Sequence, residues 1–122
     1  MRLFENDDYP IIFEWFEKRG MRTPPFNEFP RSGFIVDMHA AGFLIETDTS
    51  MAMFDFFISN PESPRALRDK ALDQIVKGLS DLAKRRKYKY ILCSSQVAAI
   101  ERRAIKNHFR PLGLFKMFQK EL

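Results

Sequence analysis

Arg65, Arg68 and Lys70 are the residues whose types and placement point most directly to chemistry. They follow Asn60-Pro61 and Ser63-Pro64, which end an apolar run and open an amphipathic helix. A helix N-terminus offers orphan N–H groups and the positive end of its dipole, so three cations there make a place for an anion. The turn has no glycine, the residue usual where a backbone closes on phosphate. Contact would then run through charge-assisted hydrogen bonds from the side chains. Other reactive groups are sparse. Cys93 ends an apolar strand, where a thiol is ordinarily core and not a nucleophile. His39 falls in a tight turn and reads as exposed, and His108 reads as a helix C-terminal residue. Two histidines and one cysteine, widely separated, give no metal-ligand pattern. Ser94 or Ser95 reads as the cap of a following helix. Asp55 is the one charge on its face of an apolar strand, and Glu46 stands on the strand before it.

The elements that must position these groups follow from periodicity. Arg2 to Phe4 is a short edge strand. Asp8 and Pro10 start a helix whose apolar face is Ile12, Phe13, Trp15 and Phe16, and Gly20 stops it. Residues 21–32 hold three prolines and form a loop, whose Phe26 and Phe29 either join the core or cover a ligand. GFIVDM (33–38), GFLIE (42–46) and MAMFDFFIS (51–59) are three strands with short links, an antiparallel meander. Strict alternation places Met51, Met53, Asp55 and Phe57 on one face of the third strand and Ala52, Phe54, Phe56 and Ile58 on the other. Both faces are largely apolar, which predicts a central strand covered on both sides. A helix then runs from Ser63-Pro64 to about Lys84, with Leu67, Ala71, Leu72, Ile75, Val76, Leu79, Leu82 and Ala83 as its stripe. Strand YKYILC (88–93) lies beyond a crossover and must pair in parallel. A second helix reaches about Asn107, with Val97, Ile100, Ala104 and Ile105 on its apolar face. Residues 109–122 carry alternating apolar residues and are predicted to end the sheet as one or two short strands.

A chain of 122 residues fits one domain, and 45% hydrophobic residues are enough for a packed core. One cysteine and no apolar leader in MRLFENDDYP predict a reduced, cytoplasmic setting. No run approaches the roughly 18 apolar residues of a membrane span. The net charge of +4 is unevenly spread: residues 1–62 hold 5 Lys/Arg against 11 Asp/Glu, and the rest hold 15 against 5. Lodged side by side, such halves suit a cleft with one anionic and one cationic ligand. AKRRKYKY (83–90) interleaves cations and aromatics as single-strand nucleic-acid sites do. A cationic helix end entering a strand is the better reading, so nucleic acid is not the expected partner.

The segments AGFLIETDTSMAMFDFFISNP (41–61), YKYILCSS (88–95) and IERRAIKNHF (100–109), in this order around the long helix, resemble the GNAT N-acetyltransferase superfamily. Small, divergent GNAT-like proteins encoded by bacteriophages are similar. The resemblance covers nearly the whole chain. It implies an α/β fold, a single GNAT-like domain over residues 1–122 with a mixed sheet. The sheet is an antiparallel meander followed by a βαβ crossover, splayed between its two central strands. It also implies acetyl-CoA or another acyl-CoA as cosubstrate. The pantetheine arm would bond backbone groups near Phe57, Ile58 and Ser59. The pyrophosphate would rest on the next turn, with Arg65, Ala66, Arg68 and Lys70 standing where the family has Gln/Arg-x-x-Gly-x-Gly/Ala. Gln96 falls where the second helix usually offers an Asn. Asp55 and Glu46 become the candidate catalytic carboxylates, drawing a cationic amine or protein acceptor. Arg103 or Ala104 stands where the family has a Tyr that protonates the leaving thiolate, and His108 replaces a glycine. These departures leave a second reading: a catalytically inactive binding protein of the same fold, such as a phage-encoded host-factor inhibitor or virion-associated protein, with a host protein as partner.

Overall fold

The structure, a computed structural model, describes residues 1–95 and 98–122. Strand β1 (Arg2–Leu3) and a 3-10 turn (Asn6–Asp8) lead into helix α1 (Tyr9–Lys18). The proline-rich loop, with a second 3-10 turn at Phe26–Glu28, leads to β2 (Ser32–Val36), β3 (Ala40–Ile45) and β4 (Met51–Ser59). Helix α2 (Arg65–Arg85), strand β5 (Tyr90–Leu92) and helix α3 (Ala98–Lys106) complete the order. The sheet runs β1-β2-β3-β4-β5, antiparallel through β4 and parallel between β4 and β5. It is a mixed α/β sheet built from a meander and a crossover, as the pattern of periods predicts.

Helices α1 and α2 bury most of the stripe their spacing dictates, whereas the apolar face expected of α3 does not pack, Ile100 and Ile105 being exposed. Along α2, Ala71, Ile75, Val76, Leu79 and Ala83 recur every three or four residues and pack on Ala40, Leu44, Ala52 and Phe54. Leu67, one turn before that stripe, is 44% exposed. On the opposite face of the sheet, Ile12, Trp15 and Phe16 of α1 pack on Ile35, Ala41, Phe43 and Ile58. Gly42 lets α2 come close: a Cβ there would lie 2.5 Å from the Phe57 ring and 2.8 Å from Ile75. The loop phenylalanines divide. Phe29 enters the α1-side core, its ring 5.4 Å from Phe43 and 5.0 Å from Phe56, whereas Phe26 leans on Tyr9 and stays half exposed. Helix α3 buries no residue and is tied to α2 by charge: Arg103 pairs with Asp69 and Asp73, and Lys106 with Asp73.

Two expectations are corrected. Alternation along β4 breaks, because the register passes from Phe43↔Asp55 to Ala41↔Ile58, three residues on β4 against two on β3. The extra residue is Phe56, at φ 55°, whose amide donates to the Asp55 carboxylate at 2.7 Å. Past this bulge the faces exchange. Phe57 joins Phe54 on the α2 side, and Phe56 and Ile58 turn toward α1. Met51, Met53 and Asp55 are exposed, so the first half of β4 is covered on one face only. The second correction is the C-terminus. Residues 109–122 form no strand, and every residue from 110 onward is exposed. Pro111 lacks the N–H a ladder needs, and Gly113 turns the chain at φ 142°. Phe109 stays anchored, its ring 5.6 Å from Phe54.

Candidate functional site

The short β5 leaves much of β4 without a partner. The two strands pair only from Met51↔Tyr90 to Met53↔Leu92, after which β4 continues alone to Ser59. The result is a notch in the sheet, the edge of β4 beyond Met53 that is unpaired among the described residues. Hydrogen-bonding parity fixes what faces the notch. Ile58 pairs with Ala41 and the Asn60 amide donates to the His39 carbonyl, so Ile58 turns its backbone groups toward β3. Ser59, between them, turns its N–H and C=O away from β3 and into the notch. That carbonyl accepts from Arg19 Nε at 2.9 Å, and the Ser59 hydroxyl meets Arg19 Nη2 at 2.7 Å. Arg19 ends α1, and in the sequence it reads only as a helix terminus. What brings it here is the crossing of α1 under β4, which no local pattern encodes.

The turn between β4 and α2 is braced from below. The Asn60 side chain donates to the Met38 carbonyl and accepts from the Glu62 amide, and His39 Nδ1 lies 2.6 Å from Ser63 Oγ. His39 is therefore half buried and engaged, not the exposed turn residue its sequence position suggests. With its hydroxyl held by His39, Ser63 does not cap the helix. The N-cap is Pro64, which makes no side-chain cap bond, and the first turn has no acidic residue. The Leu67 and Arg68 amides both bond the Pro64 carbonyl, so Arg65 and Ala66 carry the amides that helix geometry leaves over. Arg68 is half buried, while Arg65, Ala66 and Lys70 are exposed. Arg68 and Lys70 sit inside the first two turns of α2, so their side chains leave the helix sideways. Arg65 makes a long 3.9 Å contact with Asp69. Burial of the Arg19 guanidinium, followed by repulsion from Arg68, lowers its pKa from the usual arginine range, though not enough to remove its charge. The start of α2 thus gathers two neighbouring guanidiniums, an uncapped dipole and no carboxylate in its first turn.

The carboxylates are less well placed. Asp55 is exposed and caps its neighbour's amide across the bulge. Glu46 pairs with Arg86, just past α2, and accepts from Ser32 at 3.0 Å. Glu46 lies an odd number of residues from Phe43, the register partner of Asp55, so the two side chains take opposite faces and do not converge. Cys93 follows β5 and is exposed, not core. Its neighbours nevertheless desolvate the thiol and push its pKa up, which disfavours the reactive thiolate. Gln96, together with Val97, lies outside the described residues. Two shallow hollows lie elsewhere, one of about 360 Å³ beside Asp73, Lys77 and Lys106, the other of about 450 Å³ beside Phe29, Glu46 and Phe56. Among the described residues, no helix is long and apolar enough to cross a membrane.

A mixed five-strand sheet of this order, with a helix starting just beyond β4, is a fold shared with solved structures of acetyltransferases. The crystal structure of a probable acetyltransferase superposes with a TM-score of 0.69 at 14% identity, covering 100% of this chain and 98% of the other. A protein assigned as an acetyltransferase from Agrobacterium tumefaciens str. C58 gives 0.65 at 9% identity, covering 98% of each chain. An acetyltransferase from Trypanosoma brucei gives 0.63 at 9% identity, covering 99% of this chain and 97% of the other. At such identities the likeness establishes the fold. No protein-family profile and no curated protein sequence matches the chain.

Proposed function

We propose that this chain is a single-domain acyl-CoA-dependent N-acyltransferase of GNAT type, with the notch between β4 and β5 as its acyl-CoA site. The observation that carries this reading is the meeting of a free strand edge with an uncapped, cationic helix start. The free edge beside Phe57 and Ser59 suits an amide-bearing arm, and the α2 terminus suits a diphosphate. Arg68, Arg65, Lys70 and the spare amides of Arg65 and Ala66 hold the anion, and Arg19 supports it from the α1 side. Because Arg19 already takes the Ser59 carbonyl, the arm is left the Ser59 amide and the groups of Phe57. The cosubstrate supplies an activated thioester carbonyl. The chain holds that carbonyl beside the acidic half of the molecule, where a cationic amine collects, loses one proton to water and attacks. The C–N bond forms as the C–S bond breaks, and the CoA thiolate leaves and takes up the second amine proton from solvent. Asp55 is the carboxylate free to draw it in, since Glu46 is neutralised by Arg86. Positioning supplies most of the rate, since the reactive pair is brought together without a strong general base.

A thiol-release assay with acetyl-CoA and a panel of polyamines, aminoglycosides and lysine peptides tests the proposal. Amine-dependent release above the hydrolysis background supports it. No release from any acceptor, with binding retained, favours the second reading, a non-catalytic GNAT-fold protein that binds a host or virion protein. One feature supports that alternative: the position where a thiolate-protonating Tyr would stand holds Arg103, which is committed to Asp69 and Asp73, or Ala104.

A further inference from the structure

Charge ties α3 to one row of α2. Arg65, Asp69 and Asp73 stand four residues apart, so they lie one above another on the same helix face. Arg103 lies across that row. Its Nη2 is 2.9 Å from Asp69 Oδ1, and its Nη1 is 2.8 Å from Asp73 Oδ1 and 3.1 Å from the Asp69 carbonyl oxygen. Lys106 takes the other Asp73 oxygen at 2.9 Å. Burial pushes the Asp73 carboxyl up, and the bonds from Lys106 and Arg103 more than offset it, holding it below the usual carboxylate range. Arg65 is left with a 3.9 Å contact to Asp69 Oδ2. The Arg103 side chain is 19% exposed against 83% for Arg65, so solvent screens its bonds less and Asp69 favours it.

We propose that Arg103 is a positioning residue of the anion site: by occupying Asp69 it leaves Arg65 available to the diphosphate. The proposal rests on the acyl-CoA reading of the notch. Asp69 stands one helical turn from Arg65, the spacing at which two side chains on a helix pair. With the Arg103 guanidinium gone, Arg65 is the cation one turn away from Asp69. An Arg65 drawn onto Asp69 no longer presents a full charge at the start of α2. The loss also leaves Asp69 and Asp73, about 6 and 12 Å along the axis from Arg65, with one compensating charge fewer. Asp69 then repels a bound diphosphate from within the roughly 10 Å over which charges act at 0.1 M salt. Both effects loosen the same end of the ligand. Arg103 thus governs phosphate affinity without touching phosphate.

Equilibrium dialysis of full chains against labelled acetyl-CoA tests this. Arg103→Ala should raise the Kd about three- to tenfold, the effect of one nearby charge under partial screening. Asp69→Asn should bind at least as tightly as the parent. The double variant Arg103→Ala/Asp69→Asn should return to within about twofold of the parent, because no carboxylate is left to capture Arg65. A residue that merely holds α3 in place gives the opposite pattern. The double variant then cuts both sides of the tether and binds as weakly as Arg103→Ala or worse. That pattern, or an Arg103→Ala chain that binds like the parent, overturns the proposal and leaves the acyl-CoA reading standing. Inorganic pyrophosphate, used as competitor, should show the same ratios among the chains, and equal inhibition of all of them overturns the assignment to the phosphate end. If Arg103→Ala fails to fold, Asp69→Asn decides: weaker binding there overturns the proposal. A parent that retains no acetyl-CoA removes the acyl-CoA reading and this inference with it.

Discussion

At the residue scale the molecule spends its charges unevenly. Asp8 is buried, takes a bidentate pair of bonds from Arg2 at 2.6 and 2.8 Å, and accepts the Glu5 amide. The Arg2 hydrogen bonds, outweighing burial, hold its carboxyl below the usual carboxylate range. A depressed folded-state pKa means the stabilisation is complete above the unfolded value and is lost as pH falls through the folded one. Denaturant midpoints should therefore fall on acidification below the ordinary carboxylate range. Asp8→Asn should lower the neutral-pH midpoint and flatten that acid limb, and an unchanged limb would show that Asp8 contributes nothing to it. Arg19 and Arg68 behave in the opposite way, held close together with no carboxylate in the adjoining first turn. Replacing either by Ala should weaken CoA binding about tenfold, the worth of one charge-assisted hydrogen bond, while leaving the fold intact. Competition with a fluorescent nucleotide would measure it. The sequence exposes Arg68 as a candidate through its place at a helix start. It hides Arg19, because that guanidinium reaches Ser59 across forty residues of chain through tertiary packing.

At the element scale, strands and helices were legible wherever one period ran unbroken. The stripe of α2 predicts its buried face, with Leu67, exposed in the first turn, the exception. Alternation predicts β4 correctly as far as Asp55 and fails at Phe56, since a bulge leaves no mark in a run of phenylalanines on either side. Hydrophobic spacing in residues 109–122 predicts a strand, but a strand needs a partner as well as a pattern. Among the described residues none pairs with it. Packing at the α2 face is tight enough to test. Leu79 is fully buried, so Leu79→Ala should cost about 2–5 kcal/mol. Gly42→Ala, which drives a methyl into Phe57 and Ile75, should cost about 1–3 kcal/mol. Chemical denaturation gives both values, and a neutral Gly42→Ala would show that α2 can retreat from the sheet at no cost.

At the scale of the whole molecule, charge remains segregated as the sequence is. Among the described ion pairs, only Arg86 with Glu46 joins the acidic first half to the basic second half. A basic helix start facing a polyanion is screened by salt within about 10 Å at 0.1 M. CoA affinity should thus fall steadily between roughly 0.05 and 0.5 M salt, whereas a salt-independent affinity would point to a purely apolar contact. The fold itself is shared with solved acetyltransferases, yet fold does not fix activity. What we propose for this chain is a phosphate cradle made of side chains where glycines are usual. Equilibrium dialysis of the full chain against labelled acetyl-CoA measures that cradle most directly. One saturable equivalent is predicted, lost together with Arg19→Ala and Arg68→Ala in one chain. Retention of nothing at millimolar ligand, or binding indifferent to both arginines, would contradict it.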